Sequence, residues 1–296
     1  MYKEIAFDPH CLGEYHYYGI LKGAFGEERG RFIVASVNQW VAEAFAIVKE
    51  SDIQDIKKQS IKNYLNLLKR RKGGNTLVLP TYRKSVLDPA SVEDWHEWFE
   101  KQREFTEFDA TVSDRNIEGA LNYEAIIEDC ERWSVPPTIR IDRTPEDIAA
   151  ALLPLLRLGN QITIIDQYFR LAGNKVLHEL ISFISSLESV KKLTLVTSID
   201  TADPENVFAS EYVGKYRYLP KFDLIVVPEK LFHDRYLLTE NSAVKTGHGF
   251  SDAPPIGAHA DRVSLSLCGK VEKSETEAQL SAAIDRGIAR VINLNQ

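Results

Sequence analysis

Cysteine is scarce in this chain: three in 296 residues, at positions 11, 130 and 268, with no C-x-x-C pair and no histidine set nearby. That usage fits neither a disulfide framework nor a zinc site, and it points to a reducing, cytoplasmic setting. Positive charge is also short, with 36 Lys and Arg against 43 Asp and Glu for a net charge of -7. A protein that coats its whole surface with nucleic acid is thereby excluded, because counterion release needs a basic face, and only a local basic groove is left open. No 18 uncharged apolar residues run together, and the opening MYKEIAFDPHCLGEYHYYG has no basic stretch followed by an apolar one. The expectation is a chain with neither signal peptide nor membrane span. No internal repeat is visible.

What is abundant is core-forming material. Hydrophobic residues make up 44% of a chain long enough for two domains. Val135-Pro136-Pro137-Thr138 marks the boundary, since paired prolines block both helix and central strand. The predicted layout is an N-terminal α+β domain over 1–134, a linker over 135–143 and an α/β domain over 144–296. In the first part, Tyr15–Ile20 and Arg31–Val37 are rich in aromatic and β-branched residues and read as a hairpin or meander. Helices are predicted over Val37–Glu50, Asp52–Lys72 and Leu121–Trp133, with another starting from a Ser91/Asp94 capping box. Thr76–Leu79 reads as a strand. Trp95, Trp98 and Phe99 sit at helical spacing and are assigned to the core. The cations from Lys57 to Lys72 read first as the solvated face of a helix, with a nucleic-acid backbone or a membrane surface as the functional alternative.

In the second part, Thr144-Pro145-Glu146-Asp147 is a helix start, with Thr144 as cap and Gly159 as the stop. Strands at Ile162–Ile165, Lys192–Thr197 and Leu224–Val227 alternate with a helix at Lys175–Leu187. A last helix and strand are predicted in SETEAQLSAAIDRGIARVINL. Near-continuous apolar strands between helices indicate a sheet covered on both faces.

The chemistry concentrates in LFHDRYLLTENSAVKTGHGFSD, residues 231–252. If this stretch is a strand from its first residues, His233 and Arg235 project from one face while Asp234 points away. An imidazole can attack phosphorus or shuttle a proton, and a guanidinium can clamp two phosphate oxygens. Glu240 is the candidate for orienting the imidazole. Gly247 and Gly249 allow close backbone approach, with His248 between them as a second donor. Asp166 and Tyr168 fall at the carboxyl end of a sheet strand, where open α/β sheets place ligands, and are read either as ligand-facing groups or as a turn cap and a packing ring. His10 and His16 have no partner at metal-ligand spacing.

The spacing His233, Arg235, Glu240, Gly247 resembles the signature of the phospholipase D superfamily: His-x-Lys, four residues, Asp, six residues, Gly-Ser-x-Asn. Four positions depart from it: Arg235 for lysine, Glu240 for aspartate, His248 for serine and Phe250 for asparagine. With the Asp166-x-Tyr168-Phe169 strand end upstream, residues 140–252 look like the phospholipase D-like C-terminal domain of MIT-domain proteins and its bacterial relatives. The resemblance implies a mixed sheet covered by helices and a metal-independent site that needs no cofactor. It places His233, Arg235 and Glu240 in the catalytic positions and Gly247, His248 and Gly249 in ligand contact. It also implies a phosphodiester or phospholipid-headgroup ligand, and for bacterial relatives a setting in defence or mobile-element loci.

Catalysis of that type needs two histidines facing one phosphate. No second His-x-Lys or His-x-Arg exists: His96 is followed by Glu97-Trp98, His178 by Glu179-Leu180 and His259 by Ala260-Asp261. Three readings follow. A non-catalytic domain binds phosphodiester, nucleic acid or phospholipid; a homodimer forms a nuclease or phosphodiesterase from two half-sites; or a degenerate scaffold holds a partner protein, with the N-terminal domain as a further partner surface.

Overall fold

The computed structural model describes residues 1–74, 76–84, 87, 91–253 and 262–295, so the His259-Ala260-Asp261 triplet lies outside the described residues. The chain divides between Pro136 and Pro137 into two compact units, each α/β.

Residues 2–136 form a four-stranded sheet of β1 (Lys3–Phe7), β2 (Arg31–Val34), β3 (Leu77–Val78) and β4 (Ala110–Val112), in the order β3-β2-β1-β4. All three pairings are parallel. Parallel neighbours need crossovers, and helices supply them: α1 (Tyr15–Gly23), α2 (Val37–Glu50), α3 (Asp55–Arg70), α4 (Thr81–Lys84) and α5 (Trp95–Phe105). The unit is therefore parallel α/β rather than α+β, and the expected meander is absent. Tyr15–Ile20 has strand-like composition, yet Tyr17, Ile20 and Leu21 bury one helical face, and packing outweighs propensity. α3, expected over Asp52–Lys72, spans Asp55–Arg70, and the turn that ends it closes on Gly73, whose φ of +91° suits glycine and whose N–H reaches Leu68 O at 2.8 Å.

Two N-terminal expectations change in detail. Asp94, not Ser91, caps α5, accepting the Glu97 N–H at 2.9 Å. The helix expected over Leu121–Trp133 is only α6 (Tyr123–Ile127), capped by Asn122, because Leu121 is taken up by a bridge to Val112. Trp95, Trp98 and Phe99 are buried, as their spacing required.

Residues 137–296 form an eight-stranded mixed sheet from β5 (Thr138–Asp142), β6 (Gln161–Ile165), β7 (Lys192–Thr197), β8 (Lys221–Val226), β9 (Arg235–Thr239), β10 (Ala243–Thr246), β11 (Arg262–Leu267) and β12 (Arg290–Asn295). Their order is β12-β8-β7-β6-β9-β10-β11-β5. β6, β7 and β8 are parallel; β9 joins β6 antiparallel and starts a run of antiparallel partners. Thr138–Asp142, expected within the linker, pairs along its length with β11 and is the edge strand of this sheet. Paired prolines bar a central strand, but an edge strand can begin just after them.

The helices are α7 (Pro145–Leu158), α8 (Lys175–Leu187), α9 (Pro204–Glu211) and α10 (Lys270–Asp285). Thr144 caps α7 as its sequence required, accepting the Asp147 N–H at 3.1 Å. Ile148, Leu152 and Leu155 of α7 and Leu177, Ile181 and Ile184 of α8 are buried. So are Ile164, Leu195, Leu224 and Leu237 of the central strands, as near-continuous apolar strands require, whereas the edge strands β5 and β12 hold no buried residue. Among the described residues no helix is long and apolar enough to cross a membrane.

Candidate functional site

The sheet register brings three distant chain points to one edge. Ile165, the last residue of β6, pairs with Tyr236, and Thr246, the last of β10, pairs with Arg235. Asp166, Arg235 and the Gly247-His248-Gly249 turn therefore share the edge formed by the carboxyl ends of β6 and β10 and the start of β9. This is where open α/β sheets collect ligand groups.

Asp166 is the buried centre of that edge, with 1% of its surface exposed. Its Oδ2 accepts the Phe250 N–H at 2.8 Å and its Oδ1 the Tyr168 N–H at 3.0 Å. Burial holds its carboxyl above the usual range, while those two N–H groups and the charges of Arg235 and Arg143 oppose the rise. Asp166 thus ties two loops together from a buried position, the geometry of the turn-cap reading. Gly249 is fitted against it: its φ is +84°, and a Cβ there would stand 2.6 Å from Asp166 Oδ2. Phe250, where the phospholipase D signature has asparagine, is buried and anchors the turn.

Arg235 is half-buried and held from several sides. Its Nη1 donates to Gly247 O at 2.7 Å and to His233 O at 3.3 Å. Its Cζ lies 5.6 Å from the centre of the Tyr168 ring, a cation–π contact. Turning the Gln167 amide to its favoured orientation puts that side-chain oxygen 3.0 Å from Nη2. The buried Nε has no acceptor among the described residues. Tyr168 is about half exposed and donates its hydroxyl to Glu229 Oε1 at 2.8 Å.

Two expectations fail here. His233 is not on a strand with Arg235: β9 begins at Arg235, and His233 lies in the preceding bend with its side chain fully exposed. Its Nδ1 is 3.2 Å from Asp234 Oδ1, so Asp234, expected to point away, is the carboxylate beside the imidazole. Glu240 cannot take that part. It follows the far end of β9, about 16 Å along the strand from Arg235. There it accepts the N–H of Asn160 at 2.7 Å and of Gln161 at 3.2 Å, and so secures the start of β6.

His248 is exposed at the rim, with its N–H directed at Thr246 Oγ1, 3.3 Å away. Gly247 is not crowded; a Cβ there would meet nothing within 4 Å, and its contribution is the carbonyl that holds Arg235. The sequence reading missed Asp234, Gln167, Glu229 and Arg143. Arg143 follows β5 and donates to Ser251 O at 2.9 Å, bracing the loop after Gly249. The only sequence signal for Gln167 and Glu229 was their nearness to strand ends.

The parallel sheet of residues 2–136 has its own concavity, about 560 Å³, lined by Trp40, Glu43, Trp95 and Trp98 among others. Burial raises the Glu43 carboxyl, and no lysine or arginine is among the described lining residues. The nearby Asp8, following β1, is occupied by Arg115 at 2.6 and 2.9 Å and by Ser113 Oγ at 2.7 Å. An acidic hollow of this kind repels phosphate. Among the described residues no group of three or more His, Cys, Asp or Glu is arranged to hold a metal ion.

No protein-family model matches the chain, and no curated protein matches it.

Proposed function

We propose that residues 137–296 recognise a phosphate or phosphodiester group, with nucleic acid as the ligand, as a degenerate phospholipase D-like domain that binds without turnover. The observation that carries this is Arg235. Its guanidinium is fixed at a sheet edge by backbone carbonyls and an aromatic face, between two exposed histidines. A cation held in this way has little freedom left to lose on binding, which favours recognition of an anion. The displacement of Glu240 supports binding over catalysis: the carboxylate that the family's spacing would provide is engaged at Asn160 and Gln161, and the imidazole, with Asp234 beside it, stands fully exposed on a bend.

Fluorescence anisotropy with a labelled single-stranded oligonucleotide tests this reading. Arg235→Ala is expected to weaken binding by about tenfold and to reduce its salt dependence by roughly one phosphate contact. Unchanged affinity in that variant, with wild-type circular dichroism, would rule the reading out.

A second reading has one observation in its favour. His233 is fully exposed with Asp234 at its Nδ1, so its Nε2 is free to approach a phosphate held with a second copy of the chain. It requires EDTA-resistant cleavage of a phosphodiester by a dimer, abolished in His233→Ala.

A further inference from the structure

Between Asp55 and Lys72 the chain carries seven cations, Lys57, Lys58, Lys62, Lys69, Arg70, Arg71 and Lys72, against one carboxylate, Asp55. In a chain of net charge -7 this is a concentrated patch of the opposite sign. Among the described residues none of the seven forms an ion pair. Lys57 Nζ lies 5.0 Å from the Tyr15 ring centre and Lys58 Nζ is 3.3 Å from Lys49 O, and neither contact neutralises charge.

Their order along α3 is specific. Ile61, Leu65 and Leu68 are its buried face. Beside that face, Lys58, Lys62, Asn66 and Arg70 follow at intervals of four, one donor per turn, so the row presents a donor about every 6 Å over about 18 Å. Asn63, Asn66, Lys69 and Arg70 line a concavity of about 550 Å³ against this row. The helix itself gains little from the arrangement. Lysines at i and i+4 repel, and Lys57 and Lys58 occupy the end of α3 where the macrodipole disfavours cations. Only Lys69 and Arg70, in the last turn, complement the dipole.

We infer that the Lys58-Lys62-Asn66-Arg70 row of α3 is a docking surface for the phosphate backbone of a nucleic acid. The partner is chosen by charge and shape: a donor row along one helix, whose cations form no ion pair among the described residues, matches a linear polyanion. Asn66 within it adds hydrogen bonds to phosphate or sugar oxygens and gives no base readout. The inference rests on the nucleic-acid reading above for its ligand class but uses none of the same residues.

The test titrates full-length protein into a fluorescein-labelled 20-nucleotide RNA at several salt concentrations. Lys58→Gln/Lys62→Gln/Arg70→Gln is expected to weaken binding about tenfold or more and to lower the slope of log affinity against log salt by about 2. A control with Lys22, Lys215 and Lys221 changed to glutamine should match wild type. Wild-type affinity and slope in the α3 variant would overturn this inference while leaving Arg235 untouched. Loss of binding in Arg235→Ala with an unaltered α3 variant would do the same. If wild type ignores RNA and binds vesicles containing phosphatidylserine through these lysines, the partner is a membrane surface and the inference is also overturned.

Discussion

Arg83→Ala is expected to destabilise residues 2–136 by about 3–5 kcal/mol, the range for removing one member of a buried ion pair. The Arg83 side chain is fully buried, and its Nε lies 2.7 Å from Glu4 Oε2 in β1. Its Nη1 and Nη2 donate to Thr106 O and Glu107 O at 2.9 and 3.1 Å, and its Cζ sits 4.2 Å from the Phe108 ring centre. Tyr82 donates a hydrogen bond to the same carboxylate at 2.6 Å. Truncation leaves Glu4 charged, buried and short of its counter-charge, and frees two carbonyls after α5. The position of the tryptophans makes the measurement selective. All four, Trp40, Trp95, Trp98 and Trp133, lie before Pro136, so tryptophan emission during urea unfolding reports this unit. Arg83→Met combined with Glu4→Leu should recover much of the loss, because a buried pair replaced by apolar groups is often near neutral. A single-variant midpoint equal to wild type would show that the pair contributes nothing.

Gly249→Ala should have the next largest effect, about 3 kcal/mol on residues 137–296. Two costs coincide. An alanine at φ +84° is in a left-handed conformation that costs roughly 1–2 kcal/mol. Its Cβ would also stand 2.6 Å from a carboxylate oxygen that cannot move away, because that oxygen already accepts the Phe250 N–H in a buried position. If the turn shifts to relieve the contact, Gly247 O leaves Arg235 and the guanidinium loses its shortest anchor. Faster hydrogen exchange in peptides covering 244–252 and 163–170, together with weaker oligonucleotide binding, is the expected pair of results. Wild-type exchange in both peptides would show that the turn tolerates a side chain and that its tie to Asp166 is loose.

The parts of this fold legible in the sequence are those where local signals agree with packing. α7 has a threonine cap, a proline at its first position and a glycine at its end, and it forms between those limits. α8 and β7 likewise keep their expected boundaries. Where local composition and burial disagreed, burial decided. Tyr15–Gly23 has the aromatic and β-branched content of a strand, but its buried residues recur at helical spacing. The two prolines at the boundary were read as an extended linker, yet the strand after them has a partner, β11, more than a hundred residues away. Long-range pairing of that kind leaves no trace in local composition.

The site was legible in part for the same reason. Arg235, Gly247, His248 and Gly249 are brought together by antiparallel neighbours close in sequence. Asp166 was legible from the strand-end rule, though its role is to tie loops. Glu240 was placed by motif spacing, and His233 by that spacing and by the alternation of a strand taken to begin before it. Spacing counts residues but does not say where a strand begins, and the start of β9 at Arg235 turns His233 outward and sends Glu240 to the far end.

The most direct test of phosphodiester recognition at this edge is the NMR response of the histidine ring protons to a single-stranded oligonucleotide, assigned with His233→Gln and His248→Gln. Recognition beside Arg235 predicts saturable shifts at His233 and His248, while His178, held through Nδ1 by the Tyr216 hydroxyl at 2.7 Å, stays in place. An oligonucleotide that saturates the protein and moves neither His233 nor His248 would contradict it.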